Sequence, residues 1–268
     1  MKVAVVQYAA GFDKTDNLAT LTGLATQAAR AGADLVVAPE GAMHDFGPQS
    51  LALAPVAEPL SGPFVSTLGE TASRLGVTIV AGMFEAVPDD PARAFNTVVA
   101  VGPTGSLIGS YRKQHLFDAL GWTESERLAG GATDQRLVFE CGDVTVGVLT
   151  CYDIRFPELA RALTSDGATM LVVPSAWVAG PGKAGQLRTL ATARAIENVC
   201  YVATAVQTPP SYTGRSAVID PFGDLLGELG TTEGVRVVEA SGHRIAACRA
   251  RMPSLQHRRW RVEPADPQ

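Results

Sequence analysis

Two hydrophobic patterns alternate along the chain. Short runs dominated by Val, Leu and Ala predict strands, and longer segments with apolar residues three and four apart predict helices buried on one face. The predicted strands fall at 3–7, 35–38, 77–83, 97–101, 107–111, 136–139, 144–150, 169–173 and 200–205, with further ones near 216–220, 224–228 and 235–239. The predicted helices fall at 17–31, with Asp16 as N-cap, and at 64–75, 157–165 and 186–197. Gly76 stops the second helix, and Pro157 opens the third at a position where a missing N–H costs nothing. Gly102-Pro103-Thr104-Gly105 and Cys141-Gly142-Asp143 read as hairpin connections. Strands interleaved with helices and hairpins imply a layered α/β fold with a mixed sheet. The Pro- and Gly-rich stretches at 54–63, 88–91 and 208–214 are loop-sized and no period repeats, so residues 1–268 read as a single domain.

Composition then works by exclusion. With 46% hydrophobic and 18% charged residues and a net charge of −5, the chain suits one large core and not a disordered state. No apolar run approaches the roughly 18 residues that span a bilayer. The alternating start, 1–8, lacks the basic opening and cleavage site of a secretion signal, so a cytoplasmic protein without a membrane partner is expected. The acidic balance argues against nucleic acid as a partner. Cys141, Cys151, Cys200 and Cys248 are scattered singly and are expected to be reduced thiols. The four His show no ligand spacing, so no metal is expected. Only four of the 22 basic residues are Lys, which makes each lysine worth noting.

Ligand sites in α/β sheets form where strands end. Three reactive groups follow predicted strands: Glu40 after 35–38, Lys113 after 107–111 and Cys151 after 144–150. A free thiol titrates near 8.5 and a free carboxylate near 4.3, so proton transfer from Cys to Glu is uphill by roughly 5–6 kcal/mol. A desolvated pocket makes the carboxylate more basic and a neighbouring ammonium stabilises the thiolate, which narrows that gap. The chemistry this set suits is acyl transfer from a carbonyl to Cys151, with Glu40 as base and Lys113 beside the Tyr152 N–H as oxyanion donors. His115, two residues past Lys113, leaves a Cys–His pairing as a rival on these grounds.

The blocks Val36-Val37-Ala38-Pro39-Glu40, Tyr111-Arg112-Lys113-Gln114-His115-Leu116-Phe117-Asp118 and Thr150-Cys151-Tyr152-Asp153-Ile154-Arg155-Phe156-Pro157-Glu158 resemble, in order, the signature blocks of the nitrilase superfamily of carbon–nitrogen hydrolases. Trp122-Thr123-Glu124-Ser125, Gly130-Gly131, Ala193-Arg194-Ala195-Ile196-Glu197-Asn198, Tyr201-Val202 and Gly223 extend the resemblance over roughly 2–260. The resemblance implies a four-layer α-β-β-α sandwich, no metal or organic cofactor, and pairing into a homodimer or higher homo-oligomer. The helix opening at Phe156-Pro157-Glu158 and a C-terminal docking segment from about 242 to 268 are the implied pairing elements. Glu40 is the implied base, Lys113 the oxyanion lysine, Cys151 the nucleophile, and Glu124 the second glutamate that orients the substrate amide and the lysine.

Within the superfamily, the lysine and cysteine blocks look most like the omega-amidase and deaminated-glutathione amidase group. The implied reaction converts a small linear amide, one that can bear a carboxylate, to an acid and ammonia through a Cys thioester. The alternatives are an N-carbamoyl amine or amino-acid hydrolase and a catalytically silent binding protein of the same fold. Where that group carries His-Trp-Glu, this chain has Gln186-Leu187-Arg188, which makes Arg188 a candidate for a substrate carboxylate. Ser175, Ala176 and Trp177, after the strand 169–173, are expected to line the substrate pocket. Asp153, Arg155 and Glu158 are expected to brace the cysteine turn, and Cys141, Cys200 and Cys248 to be buried and inert. His257-Arg258-Arg259-Trp260-Arg261 reads as part of the docking tail.

Overall fold

The computed structural model describes residues 1–263. The first half contains β1 (Lys2–Gln7), α1 (Lys14–Arg30), β2 (Leu35–Val37), α2 (Pro63–Leu75), β3 (Thr78–Ala86), β4 (Ala94–Val101), β5 (Leu107–Arg112) and the short β6 (Leu128–Ala129). The second half contains β7 (Val138–Cys141), β8 (Val144–Val148), α3 (Pro157–Ser165), β9 (Met170–Ser175), α4 (Lys183–Asn198) and β10 (Tyr201–Val206). It closes with β11 (Ala217–Ile219), β12 (Leu225–Glu228), β13 (Gly234–Glu239) and α5 (Gly242–Arg251).

One sheet runs β13-β1-β2-β3-β4-β5, with β6 added to β4, and the other runs β12-β11-β10-β9-β8-β7. Each has a parallel centre, β1-β2-β3 in one and β8-β9-β10 in the other, flanked by antiparallel strands. Strand alternation sorts the side chains into layers. Val3, Val5, Leu35 and Val37 point into the core shared with Val146, Val148, Val172 and Val202 of the other sheet. Ala4, Val6, Val36 and Ile79 point the opposite way, onto Leu21, Leu24, Ala25, Leu68 and Ala72 of α1 and α2. Leu159, Leu163, Leu187 and Ala191 of α3 and α4 cover the second sheet. The result is the expected α-β-β-α sandwich.

The boundaries that moved have local causes. The first helix begins at Lys14, so its cap is Asp13 and not Asp16; the Asp13 side chain accepts from the N–H groups of Thr15 and Asp16. Asn17, expected near the helix start, is buried and ties α1 to the adjoining loops by bonding Gly11 and the Met43 carbonyl. β9 runs through Pro174 because β8 ends at Val148, opposite Val172, so no strand on that side needs the missing N–H. α4 starts at Lys183, earlier than expected, with Gly182 as its N-cap at φ +72°. Residues 242–251 form a helix that packs on its own chain, with Ile245 and Cys248 buried; residues 264–268 of the expected docking segment lie outside the described residues. Among the described residues no helix is long and apolar enough to cross a membrane.

Candidate active site

The ends of β2, β5 and β8 bring Glu40, Lys113 and Cys151 together between the sheets. Glu40 follows β2 on a loop that turns at Gly41, φ +62°. That loop lies against β3 at Gly82, where a Cβ would sit 2.6 Å from the Gly41 nitrogen and 2.7 Å from the Glu40 Cα. The Glu40 carboxylate is buried and fully engaged. Its Oε1 accepts from Asn96 Nδ2 at 2.7 Å and Lys113 Nζ at 3.0 Å, and its Oε2 accepts from the Ala176 N–H at 2.7 Å. Lys113 also donates to both oxygens of Glu124, at 2.8 and 3.1 Å, and Glu124 is fixed in turn by the Phe117 N–H at 2.8 Å.

Cys151 stands at φ +45°, a left-handed conformation that a non-glycine residue holds only where the surroundings enforce it. The enforcing group is Asp153, which is fully buried. Its carboxylate accepts from the Tyr111 hydroxyl at 2.8 Å, the Thr150 N–H at 3.0 Å and the His115 N–H at 3.1 Å. The His115 Nδ1 lies 2.7 Å from the same carboxylate, and its ring stacks on Phe156 at 3.7 Å. His115 therefore braces the turn, as Asp153 does. Arg155 contributes by lying 4.9 Å from the Trp177 ring and donating to Gln186, and the buried Arg194 holds the Ile154 carbonyl. Glu158 has no part in these contacts.

Burial pushes the Cys151 thiol well above its ordinary range, and the Glu40 charge adds to that, while Lys113 pulls it down. These effects together favour the protonated thiol, and Glu40 lines the same cavity as Cys151. Burial alone would depress the Lys113 ammonium, but Glu124 and Glu40 outweigh it and hold the group charged. Cys200, also buried, is pushed up to about 12, and burial raises Cys141 and Cys248 as well. Neither of those charge partners acts on these three.

Cys151 opens onto a cavity of about 420 Å³, a size suited to a small ligand. Of the expected wall residues, Tyr152, Ala176 and Trp177 line it together with Glu40 and Glu124. Ser175 does not. It lies on β9 itself, wholly buried, with its hydroxyl given to the Val173 carbonyl. Arg188 is also elsewhere, paired with Glu228 of β12 at 2.5 Å and absent from the cavity wall, so it is not the carboxylate ligand of this cavity. The sequence reading passed over Asn96 and Lys183, a second buried lysine in the cavity wall. An Asn inside an otherwise apolar strand was the available signal for the first, and lysine scarcity for the second.

This architecture matches a known family. Residues 2–250 match the carbon–nitrogen hydrolases. The chain belongs to the carbon–nitrogen hydrolase family. It is 34% identical over 260 residues to the deaminated glutathione amidase of Escherichia coli O157:H7, covering 97% of this chain and 98% of that protein. It is 35% identical over 269 residues to the omega-amidase of Danio rerio, covering 96% and 94%. Among solved structures it superposes on the amidase of Nesterenkonia sp. AN1, of the nitrilase superfamily, with a TM-score of 0.81 at 27% identity, over 97% of this chain and 94% of that one. One structure of that amidase shows the acetamide moiety of fluoroacetamide added covalently at its active-site cysteine. The family membership read from the three sequence blocks is therefore borne out, as is the amidase branch that it indicated for this carbon–nitrogen hydrolase.

Proposed function

We propose that this carbon–nitrogen hydrolase is an amidase that converts a small linear amide to its acid and ammonia through a Cys151 thioester. The observation that carries the reading is the convergence of Glu40, Glu124 and Cys151 on one cavity, with Lys113 bonded to both glutamates. The Cys151 sulfur attacks the amide carbonyl carbon as its proton passes to Glu40. The carbonyl oxygen takes up negative charge and is held by Lys113 Nζ and the Tyr152 N–H. Glu40 then hands the proton to the departing nitrogen, the carbon–nitrogen bond breaks and ammonia leaves. Water attacks the thioester, giving its proton to Glu40, and the carboxylic acid departs as the thiol is restored. Glu124 keeps the lysine ammonium in place while Glu40 gains and loses its proton.

The reading extends to a cytoplasmic homo-oligomer. Four free thiols suit a reducing compartment, and exposed Ile196, Leu225, Leu226, Met252 and Trp260 offer apolar surface to a second copy. Residues 252–263 and the helix before them are the segment assigned to that contact.

The test is ammonia release from a panel of short amides and N-carbamoyl compounds by purified protein. The amidase reading expects ammonia without carbon dioxide, and Cys151→Ala should lower turnover by at least about 10⁴-fold while leaving the circular dichroism spectrum intact. Carbon dioxide evolution would reassign the protein as a carbamoyl hydrolase. Turnover that survives in Cys151→Ala would overturn the mechanism, and no turnover on any compound would leave a binding protein.

A further inference from the structure

Resting on the amidase reading, with the carboxylate-bearing amide already expected of this branch, we propose that Lys183 is the specificity-determining residue that receives the carboxylate. Lys183 opens α4 and is 8% exposed, and what exposure it has is to the cavity it lines. Its ammonium lies 4.8 Å from the Trp177 ring and 5.5 Å from the Phe117 ring. Its carbonyl accepts from Trp177 Nε1 at 2.9 Å, so backbone and side chain are both fixed by one indole.

What this ammonium lacks among the described residues is an acceptor. Lys14 reaches Glu58 and Lys113 reaches two glutamates, but no oxygen of the described residues bonds Lys183 Nζ. Burial lowers its pKa and the Arg155 guanidinium, which shares the Trp177 ring at 4.9 Å, lowers it further. The residue is largely buried, its ammonium faces the cavity, and an ammonium partly withdrawn from water gains from a counter-charge. Here an incoming anion relieves both burdens. The start of α4 adds to the pull, since it has neither a side-chain cap nor an acidic residue in its first turn.

Among the described residues the wall holds one other cation, Arg127. Its Nη1 is held by the carbonyls of Phe46, Pro48 and Leu51, while its Nε is buried without a partner, so Lys183 is distinguished from it by a whole ammonium free of protein acceptors. Asp45, Glu40 and Glu124 are acidic. Cys151 and Lys183 line the same cavity. A short substrate with its amide on Cys151 can therefore seat a terminal carboxylate on Lys183, while a cationic amine in that place would be repelled.

The experiment compares kcat/KM for glutaramate with that for pentanamide, its uncharged analogue, in wild type, Lys183→Met, Lys183→Gln and Lys183→Arg. Wild type should prefer the anion. Lys183→Met and Lys183→Gln should each lower the glutaramate-to-pentanamide ratio by about 100-fold, chiefly through KM, and Lys183→Arg should recover most of it. Arg188→Met should leave the ratio where it was. In parallel, glutarate binding is measured by calorimetry, which needs no turnover. Glutarate that binds wild type and not Lys183→Met, in a protein that hydrolyses no amide, upholds the anion site and sinks the amidase reading. Amide turnover with no preference for glutaramate, or a ratio that Lys183→Met and Lys183→Gln leave unmoved, overturns the role of Lys183 and spares the amidase.

Discussion

Lys113 and Lys183 are both buried ammonium groups beside Cys151, yet the chain surrounds them in opposite ways. Lys113 is enclosed by two carboxylates, each fixed by a backbone N–H, and its charge is satisfied before any ligand arrives. Lys183 has two aromatic rings and a repelling guanidinium for neighbours. The first arrangement is rigid and already complete, as a catalytic group must be when it meets developing charge without reorganising. The second leaves its counter-charge to the ligand, so binding and selectivity are vested in it. A lysine satisfied by two glutamates of the cavity and a lysine left without an acceptor in its wall thus separate reaction from recognition on the proposed reading.

The strongest way to break this contrast is Lys113→Met. It leaves Glu40 and Glu124 buried without their shared cation, so kcat should fall by about 10³-fold and unfolding free energy by about 3–5 kcal/mol, read by turnover and urea titration. Unchanged stability would mean that the carboxylates do not depend on this ammonium. Gly82→Ala attacks the same end through the backbone: its new Cβ would meet the Glu40 loop at 2.6–2.8 Å. About 1–3 kcal/mol of stability should go, with kcat down roughly 10²-fold as Glu40 shifts. Wild-type kinetics in that variant would show the loop to be more yielding than its packing suggests.

Proton chemistry sharpens the comparison. Burial and Glu40 raise the Cys151 thiol, so below its pKa the ligand-free protein should react with iodoacetamide more slowly than a free thiol. The rate should climb about tenfold per pH unit. Glu40→Gln removes a charge that disfavours the thiolate and should move that curve to lower pH, whereas Lys113→Met should move it higher. A wild-type rate already level below pH 8 would instead indicate a standing thiolate–lysine pair. The smallest effect belongs to Trp177→Phe, which keeps an aromatic ring but loses the donor to the Lys183 carbonyl. About 1 kcal/mol of stability and a few-fold drop in preference for glutaramate are expected, by thermal melts and steady-state kinetics.

The chemistry of the floor was readable from the chain because each of its groups is tied to a strand end. Glu40 and Cys151 follow runs whose hydrophobicity announces buried strands, Lys113 follows the more exposed edge strand β5, and the side chain after a strand emerges where the loops converge. Pro157–Ser165 was equally plain, since proline, periodicity and length all agree. Residues whose role depends on which face meets which neighbour were not readable. Asn96 serves Glu40 only because β3 carries β4 beside the end of β2. Ser175 and Ala176 are adjacent in sequence yet face opposite sides of the strand end, and only the second reaches the carboxylate. Arg188 and Lys183 lie on the same helix, but the docking of α4 turns one toward Glu228 and the other into the cavity.

The sequence by itself determined the layered α/β class, the family and the candidate reacting groups, because strand periodicity and three contiguous blocks are local properties of the chain. Only the tertiary structure decided which cation is neutralised and which waits for a partner. That outcome depends on carboxylates brought from 73 and 11 residues away to Lys113, and on none being brought to Lys183 among the described residues. Charge compensation in a buried site is a sum over neighbours in space, which periodicity along the chain does not encode.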